Sequence, residues 1–112
     1  MTADNLIIFQ KTYNFIKEIY PVINNFPKSH RQVLGKYIEE ICIQLLIQII
    51  KANKLRDIQR LRLQDNISDQ LDSLRILIRL SKDLKFISIK GYLKLEEKLN
   101  EISKMIYGWS KT

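Results

Sequence analysis

The feature that most constrains the fold of this sequence is a row of large apolar side chains near its C-terminal end. They recur at steps of three, four, three, four and three, at Tyr92, Leu95, Leu99, Ile102, Ile106 and Trp109. This spacing aligns them on one face of an α-helix, as in helices that pack side by side in bundles. Further helices are needed to cover such a face.

Three earlier segments have comparable apolar patterns. The first is predicted to be helical to about Asn24, with Pro21 kinking it or shortening its last turn. The second is predicted to begin with Ser29 as its N-cap, after Pro27, and the third to run from about residue 56 to about residue 86. The predicted core rows are Phe9, Tyr13, Ile16, Tyr20 and Ile23 in the first segment, Leu34, Ile38, Ile41, Leu45 and Ile49 in the second, and Ile67, Leu71, Leu74 and Ile78 in the third.

The composition agrees with a helical protein, because only three glycines and two prolines interrupt 112 residues. Chains of this length bury a core of their own, and no linker-like stretch divides this one. Four helices with short connections form an antiparallel, up-down-up-down arrangement. The sequence therefore predicts an all-α fold in which residues 1–112 form a single four-helix-bundle domain.

The second segment has more apolar surface than one bundle can cover. Ile43, Ile47 and Ile50 lie outside its predicted core row, and Gln44 and Gln48 are the only polar residues from 41 to 50. A helix that is apolar on most of its circumference has to be covered on more than one side. We therefore expect a homo-oligomer, with these three isoleucines among its subunit or partner contacts.

Patterns typical of catalytic and metal sites are absent from the sequence. The single histidine, His30, lies in a connection without thiols or carboxylates at metal-ligand spacing. The single cysteine, Cys42, lies in an apolar run and is predicted to be a small buried side chain. Glycine-rich phosphate loops and nucleophile motifs are absent too. We therefore expect no enzyme activity, no cofactor and no metal.

The sequence also favours a cytoplasmic protein. Its N-terminal residues lack the basic and apolar regions of a signal peptide. The most apolar stretch, residues 33–50, contains Lys36, Glu39 and Glu40 and is therefore unsuited to crossing a bilayer. A role at a membrane surface is a weaker alternative, because no segment combines a basic face with a row of exposed Trp or Phe.

The net charge of +7 and the pI near 9.6 favour a polyanionic partner. Clustered lysine and arginine side chains attract phosphates, and the release of counterions supplies much of the affinity for nucleic acids. A surface that is basic only for solubility is the alternative interpretation. The candidate nucleic-acid-binding residues are Lys28, His30, Arg31, Lys51, Lys54, Arg56, Arg60 and Arg62.

Arg75 and Arg79 form a second basic feature, in the stretch "LRILIRL". Their four-residue spacing places both on one helical row, where apolar neighbours suggest the border of a packed surface. Arginine is well suited to subunit or partner contacts there, and phosphate contact is a second possibility. Ion pairs with Asp72 and Asp83 along the same helix are the purely structural alternative.

Three blocks of the sequence resemble a known family, the accessory variability determinants of diversity-generating retroelements. They are "YPVINNFPKSHRQVLG" in residues 20–35, "LDSLRILIRLSKDLKFIS" in 71–88 and "LEEKLNEISKMIYGWSK" in 95–111. The resemblance implies a basic four-helix bundle that assembles as a pentamer. It also implies binding to a reverse transcriptase and to RNA or DNA during error-prone copying, with the polymerase chemistry belonging to the partner.

The leading hypothesis is therefore a non-catalytic accessory subunit that holds template RNA or cDNA and binds the reverse transcriptase. One alternative is a structural scaffold that makes protein contacts only. The other is a helical bundle of the type encoded in intervening sequences of large ribosomal RNA genes, to which the family has a broader kinship.

Overall fold

The computed structural model describes the backbone of residues 3–110 and the side chains of residues 5–109. Four long helices dominate this part of the chain, and it contains no strand. They are α1 (Ala3–Asn24), α2 (Lys36–Lys54), α3 (Asp57–Asp83) and α4 (Ile89–Ser110). A helical turn at Lys28–His30 and a π-helical stretch at Arg31–Gly35 lead directly into α2. The all-α prediction is confirmed.

The helices pack as a bundle in which each one contacts the next and α4 closes against α1. Ion pairs show that α1 and α4 run in opposite directions, because Lys11 pairs with Glu101 whereas Glu18, further along α1, pairs with Lys98, earlier in α4. A two-residue connection turns α3 back along α2. These contacts give the predicted up-down-up-down order.

The buried rows of α3 and α4 are those expected from the sequence, since every residue of both predicted rows is buried. In α2 the predicted Ile38, Leu45 and Ile49 are buried, and Cys42 and Ala52 complete the core row. Leu34 and Ile41 only border the core.

The core row predicted for α1 is right at Ile23 but wrong by one residue along the rest of the helix. The buried apolar positions are Ile8, Phe15, Ile19 and Ile23, whereas Tyr13 is 43% exposed. Two adjacent apolar rows run along α1, and the bundle interior has room for only one of them. Phe9, Tyr13, Ile16 and Tyr20 belong to the second row, which remains partly exposed.

The start of the second segment also differs from its prediction, because Pro27 rather than Ser29 is the N-cap. The carbonyl oxygen of Pro27 accepts hydrogen bonds from the backbone N–H groups of His30 and Arg31, both at 2.9 Å. The ring of proline fixes a φ that suits entry into a helix, and no side chain caps this end. Helix α1 continues past Pro21 to Asn24, so this proline does not end it early.

Helix α3 ends three residues before its predicted limit because Lys85 adopts a left-handed backbone conformation, with φ 67°. The N–H of Phe86 donates to the carbonyl of Ser81 at 2.8 Å, and that of Lys85 donates to Lys82 at 2.9 Å. This pair of bonds is the Schellman motif, which terminates helices. The chain can then turn into α4.

Gly35 permits a close approach between α1 and α2. A Cβ atom added there would lie 2.8 Å from Cγ2 of Ile23, which is fully buried. At Gly108, by contrast, nothing lies within 4 Å of an added Cβ. The two glycines therefore provide a matched pair of sites for one substitution.

We predict that Gly35→Ala lowers the free energy of unfolding by about 1–3 kcal/mol, because the new methyl group overpacks a buried contact. Gly108→Ala should raise it by about 0.5–1 kcal/mol, since alanine favours the helix. Urea unfolding of both variants at one protein concentration, followed by circular dichroism, measures the difference. Equal effects of the same sign would contradict the described contact.

Candidate nucleic-acid interface

The antiparallel topology gathers the connections at the two ends of a bundle that is 43 Å long and 23 by 19 Å across. Residues 24–36 and 82–91 form one end, here named the double-loop end. Residues 51–64 belong to the opposite end, named the single-loop end, where α1 begins and α4 finishes. The part between them, named the waist, comprises residues 9–23, 37–50, 65–81 and 92–104.

The predicted nucleic-acid-binding residues divide between these ends. Lys28, His30 and Arg31 lie at the double-loop end, and the remaining five lie at the single-loop end. Those five are Lys51, Lys54, Arg56, Arg60 and Arg62. The fold therefore groups the candidates as two separate clusters and does not join them into one surface.

Aromatic packing connects the two loops of the double-loop end. The ring centroid of His30 lies 4.6 Å from that of Phe86, which in turn lies 5.5 Å from that of Phe26. This contact brings the α3–α4 connection beside the chain that leads into α2. Three lysines that were not among the candidates join the cluster as a result, namely Lys82, Lys85 and Lys90.

Sequence reasoning missed Lys82 and Lys85 because carboxylates close by in the sequence offset them. When residues 65–87 are summed as a whole, their four cations are balanced by four carboxylates, namely Asp65, Asp69, Asp72 and Asp83. In the fold, however, Asp65, Asp69 and Asp72 lie along the waist, about three to five turns of α3 before Lys82. Adding up the charges separately for each end of the predicted bundle would have identified these lysines as part of a basic cluster.

The charged side chains that the structure describes are strongly segregated along the bundle. The double-loop end carries Lys28, Arg31, Lys36, Lys82, Lys85 and Lys90 against Asp83 alone, and the single-loop end carries its five candidates against Asp57 alone. The waist has seven cations and nine carboxylates. Both ends are thus strongly positive, and the waist between them is slightly negative.

Two of the predicted cations already have intramolecular contacts. Nη1 of Arg31 donates to the carbonyl of Asn24 at 3.2 Å, which satisfies the end of α1. The guanidinium of Arg60 lies 4.9 Å from the ring centroid of Trp109 and ties the start of α3 to the last turn of α4. Lys28, Lys51, Lys54, Arg56 and Arg62 are exposed and open to a ligand.

The fold gives Arg75 and Arg79 different surroundings. Nη2 of Arg75 donates to Oδ1 of Asn100 at 2.9 Å and to Oγ of Ser103 at 3.1 Å, so this side chain joins α3 to α4. Arg75 also pairs with Asp72 at 3.4 Å. The side chain of Arg79 is 71% exposed, and its ion pair, from Nε to Oδ2 of Asp83, is long at 4.0 Å. Arg79 is therefore the member of the pair that presents its charge to solvent.

An apolar seam runs along one side of the bundle, formed by Phe9, Tyr13 and Ile16 of α1 and Ile43, Ile47 and Ile50 of α2. The three isoleucines are 46%, 39% and 36% exposed, and the rings of Phe9 and Tyr13 stack with centroids 6.1 Å apart.

The two rows of the apolar seam adjoin each other. Burial, together with Glu39 and Cys42 of α2, raises the pKa of Tyr20, which shows that the second row of α1 faces α2. Glu39 and Ile43 are one turn apart on the same row of α2. The exposed isoleucines therefore continue the apolar surface that α1 begins.

Cys42 fits the role expected from the sequence. It is fully buried, and burial followed by the charge of Glu39 raises the pKa of its thiol to about 12. The thiol therefore stays protonated at physiological pH, which makes it a poor nucleophile. It contributes to the core as a small apolar group.

The part of the chain that the structure describes has neither a membrane-spanning helix nor a cluster of metal ligands. No helix between residues 3 and 110 is long and apolar enough to cross a membrane. Within the same part of the chain, no three His, Cys, Asp or Glu residues are grouped so that they could hold a metal ion.

Together, these features define a class of protein, an α-helical bundle with two basic ends and one apolar side. The sequence profile of a family described as bAvd-like matches residues 6–112. The chain therefore belongs to this family of Avd-type accessory proteins of diversity-generating retroelements, and the resemblance seen in the sequence is confirmed. No curated protein matches the chain.

We predict that Arg75→Ala lowers the free energy of unfolding by about 1–2 kcal/mol, because its hydrogen bonds to α4 are lost. Arg79→Ala should change it by no more than about 0.5 kcal/mol, as is typical of an exposed ion pair. Denaturant unfolding of both variants measures the contrast. A loss at Arg79 as large as that at Arg75 would show that the two arginines have equivalent structural roles.

Proposed function

We propose that this protein is a non-catalytic subunit of a diversity-generating retroelement that binds the reverse transcriptase and holds template RNA or cDNA at its basic ends. Family membership supports the retroelement role. The observation that carries the nucleic-acid role is the segregation of charge, which leaves eleven cations and two carboxylates at the ends among the side chains of residues 5–109. On this proposal, the copying takes place in the cytoplasm and its chemistry belongs to the polymerase.

Phosphate binding follows from the chemistry of these ends. Exposed ammonium and guanidinium groups replace the counterions that condense on a nucleic acid, and release of those ions favours binding. Arginine adds planar, multi-donor contacts to phosphate, and lysine adds point charges. Neither contact reads the base, so we expect the protein to position strands without selecting a sequence.

The apolar seam supports the second part of the proposal, assembly into a homo-oligomer, which we take to be a pentamer as in the family. Complete burial of a large aliphatic side chain contributes about 1.5–3 kcal/mol, so covering three isoleucines and the neighbouring aromatic rings is strongly favourable. A scaffold that makes protein contacts only is the second candidate function, because the apolar seam by itself requires no nucleic acid.

Charge reversal at the single-loop end tests the nucleic-acid role. Lys54→Glu/Arg56→Glu/Arg62→Glu changes three exposed side chains and spares Arg60, whose contact with Trp109 supports the fold. The matched control is Lys17→Glu/Lys94→Glu/Lys104→Glu, three exposed lysines of the waist. Both triple variants lose the same six units of charge, so a difference between them reports position and not net charge.

We predict that the single-loop variant binds template RNA at least tenfold more weakly than the control variant in a fluorescence anisotropy titration. For about four phosphate contacts to a single strand, raising salt from 50 to 200 mM should weaken wild-type binding about 50-fold. Equal binding by the two variants, or wild-type affinity that is independent of salt, would refute the electrostatic mechanism and favour the scaffold.

Copurification tests the polymerase partner separately. The tagged protein should retain the reverse transcriptase of its retroelement from a lysate treated with nuclease, because we propose a direct protein contact. Loss of the polymerase after nuclease treatment would show that RNA alone bridges the two proteins.

We predict that the wild-type protein sediments as an oligomer at micromolar concentration and that Ile47→Glu, which places a charge in the apolar seam, yields folded monomers. Ile89→Glu is the control, since Ile89 is 70% exposed and lies at the double-loop end, away from the seam. Circular dichroism verifies that both variants are folded. A monomeric wild-type protein, or dissociation by Ile89→Glu alone, would contradict this role of the seam.

A further inference from the structure

The two basic ends are too far apart to act as one binding surface. The helical rise from Lys90 to Trp109 in α4 alone separates them by about 29 Å. Electrostatic interactions in physiological salt are screened over about 8 Å, so a phosphate at one end does not sense the cations of the other. Each end has to bind its ligand with its own side chains.

The waist does not provide a path between the ends. It carries nine carboxylates and seven cations. Two of these cations, Lys11 and Lys98, already pair with carboxylates across the α1–α4 contact. Arg75 is engaged with α4 as well. A strand that ran along the bundle would therefore cross a region that repels phosphate before it reached the second cluster.

The double-loop end has the components of a complete site for single-stranded nucleic acid. Lys28, Lys36 and Lys90 are exposed cations around the joined loops. A cleft of about 610 Å³ opens beside them, lined by Lys82, Lys85 and the exposed apolar side chains of Ile89 and Leu93, with Asp83 as its one carboxylate. Lysines at the rim suit phosphates, and the exposed side chains of Ile89 and Leu93 provide an apolar wall against which bases can pack.

The single-loop end has its own set of these components. Lys54, Arg56 and Arg62 are exposed there, and Ile58 and Leu61 expose apolar surface in the first turns of α3. The bundle is about 20 Å wide, which matches the span of about six stacked nucleotides at 3.4 Å each. Each end is thus large enough for a short strand but too small for a long one.

We infer that one copy of this protein holds two segments of single-stranded nucleic acid at the same time, one at each end of the bundle. This inference rests on the proposed nucleic-acid role and adds a second, independent site. An assembled protein would then keep two strands, or two parts of one folded RNA, about 30 Å apart, the length that α4 sets.

Counting short strands tests the inference. We propose native mass spectrometry of the full-length protein, in whatever oligomeric state it has, with a six-nucleotide RNA at low ionic strength. The double-loop variant is Lys28→Glu/Lys36→Glu/Lys90→Glu, which leaves Lys85 and its left-handed backbone unchanged. The single-loop and waist variants described above complete a set in which every triple loses the same charge.

We expect up to two strands per chain for the wild-type protein and for the waist variant, and up to one strand per chain for each end variant. Combining both end variants should abolish binding. Circular dichroism has to show helical content equal to that of the wild type, so that a lost site is not a lost fold.

Three results would overturn the inference. In the first, the wild type binds at most one strand per chain, one end variant abolishes this binding, and the other end variant has no effect. The protein would then bind nucleic acid at a single site. Another is an end variant that keeps both strands but loses the reverse transcriptase, which would make that end a protein contact. Absence of any RNA binding by the wild type would instead defeat the proposed nucleic-acid function itself.

Discussion

A bundle of four helices can cover about one apolar row on each helix, and this limit determines what remains on the surface of this protein. Helices α3 and α4 each place their main apolar row in the core. Helices α1 and α2 carry more apolar residues than the interior accepts, and the excess forms the apolar seam on one side. The core therefore decides both the bundle order and which apolar face stays exposed.

Charge is distributed unevenly along the same bundle. Along the waist, cations and carboxylates of neighbouring helices pair across the helix contacts, as Lys11 does with Glu101. Among the described side chains, the two ends have only Asp57 and Asp83 as carboxylates against eleven lysines and arginines. A polyanion therefore meets the bundle most favourably at its ends, where attraction is strong and few carboxylates compete.

Much of the fold could be predicted from the sequence, because a single apolar row has only one way to face a core. This holds for α4, whose Tyr92-to-Trp109 row is buried throughout. It fails for α1, where two adjacent rows compete and only the packing of α2 and α4 decides between Phe15 and Ile16. Local backbone conformation at Lys85, which ends α3, leaves no comparable pattern in the sequence, because left-handed residues that terminate helices are usually glycine.

The candidate site was predicted less completely than the fold. Exposed cations such as Lys54 and Arg62 follow from composition and topology. The internal contacts of Arg60 with Trp109 and of Arg75 with Asn100 depend on tertiary packing, because the partners are distant from each other in sequence. Likewise, Lys85 and Lys90 become neighbours of the Lys28 region only through the packing of His30 on Phe86.

The central claim is that nucleic acid contacts the ends of the bundle and not its waist. Lysine acetylation footprinting with and without template RNA tests it most directly, because one mass spectrum reports the protection of every lysine. The account predicts protection of Lys28, Lys54 and Lys90, and unchanged reactivity of Lys17, Lys94 and Lys104. Protection along the waist, or unprotected lysines at both ends when RNA is bound, would contradict it.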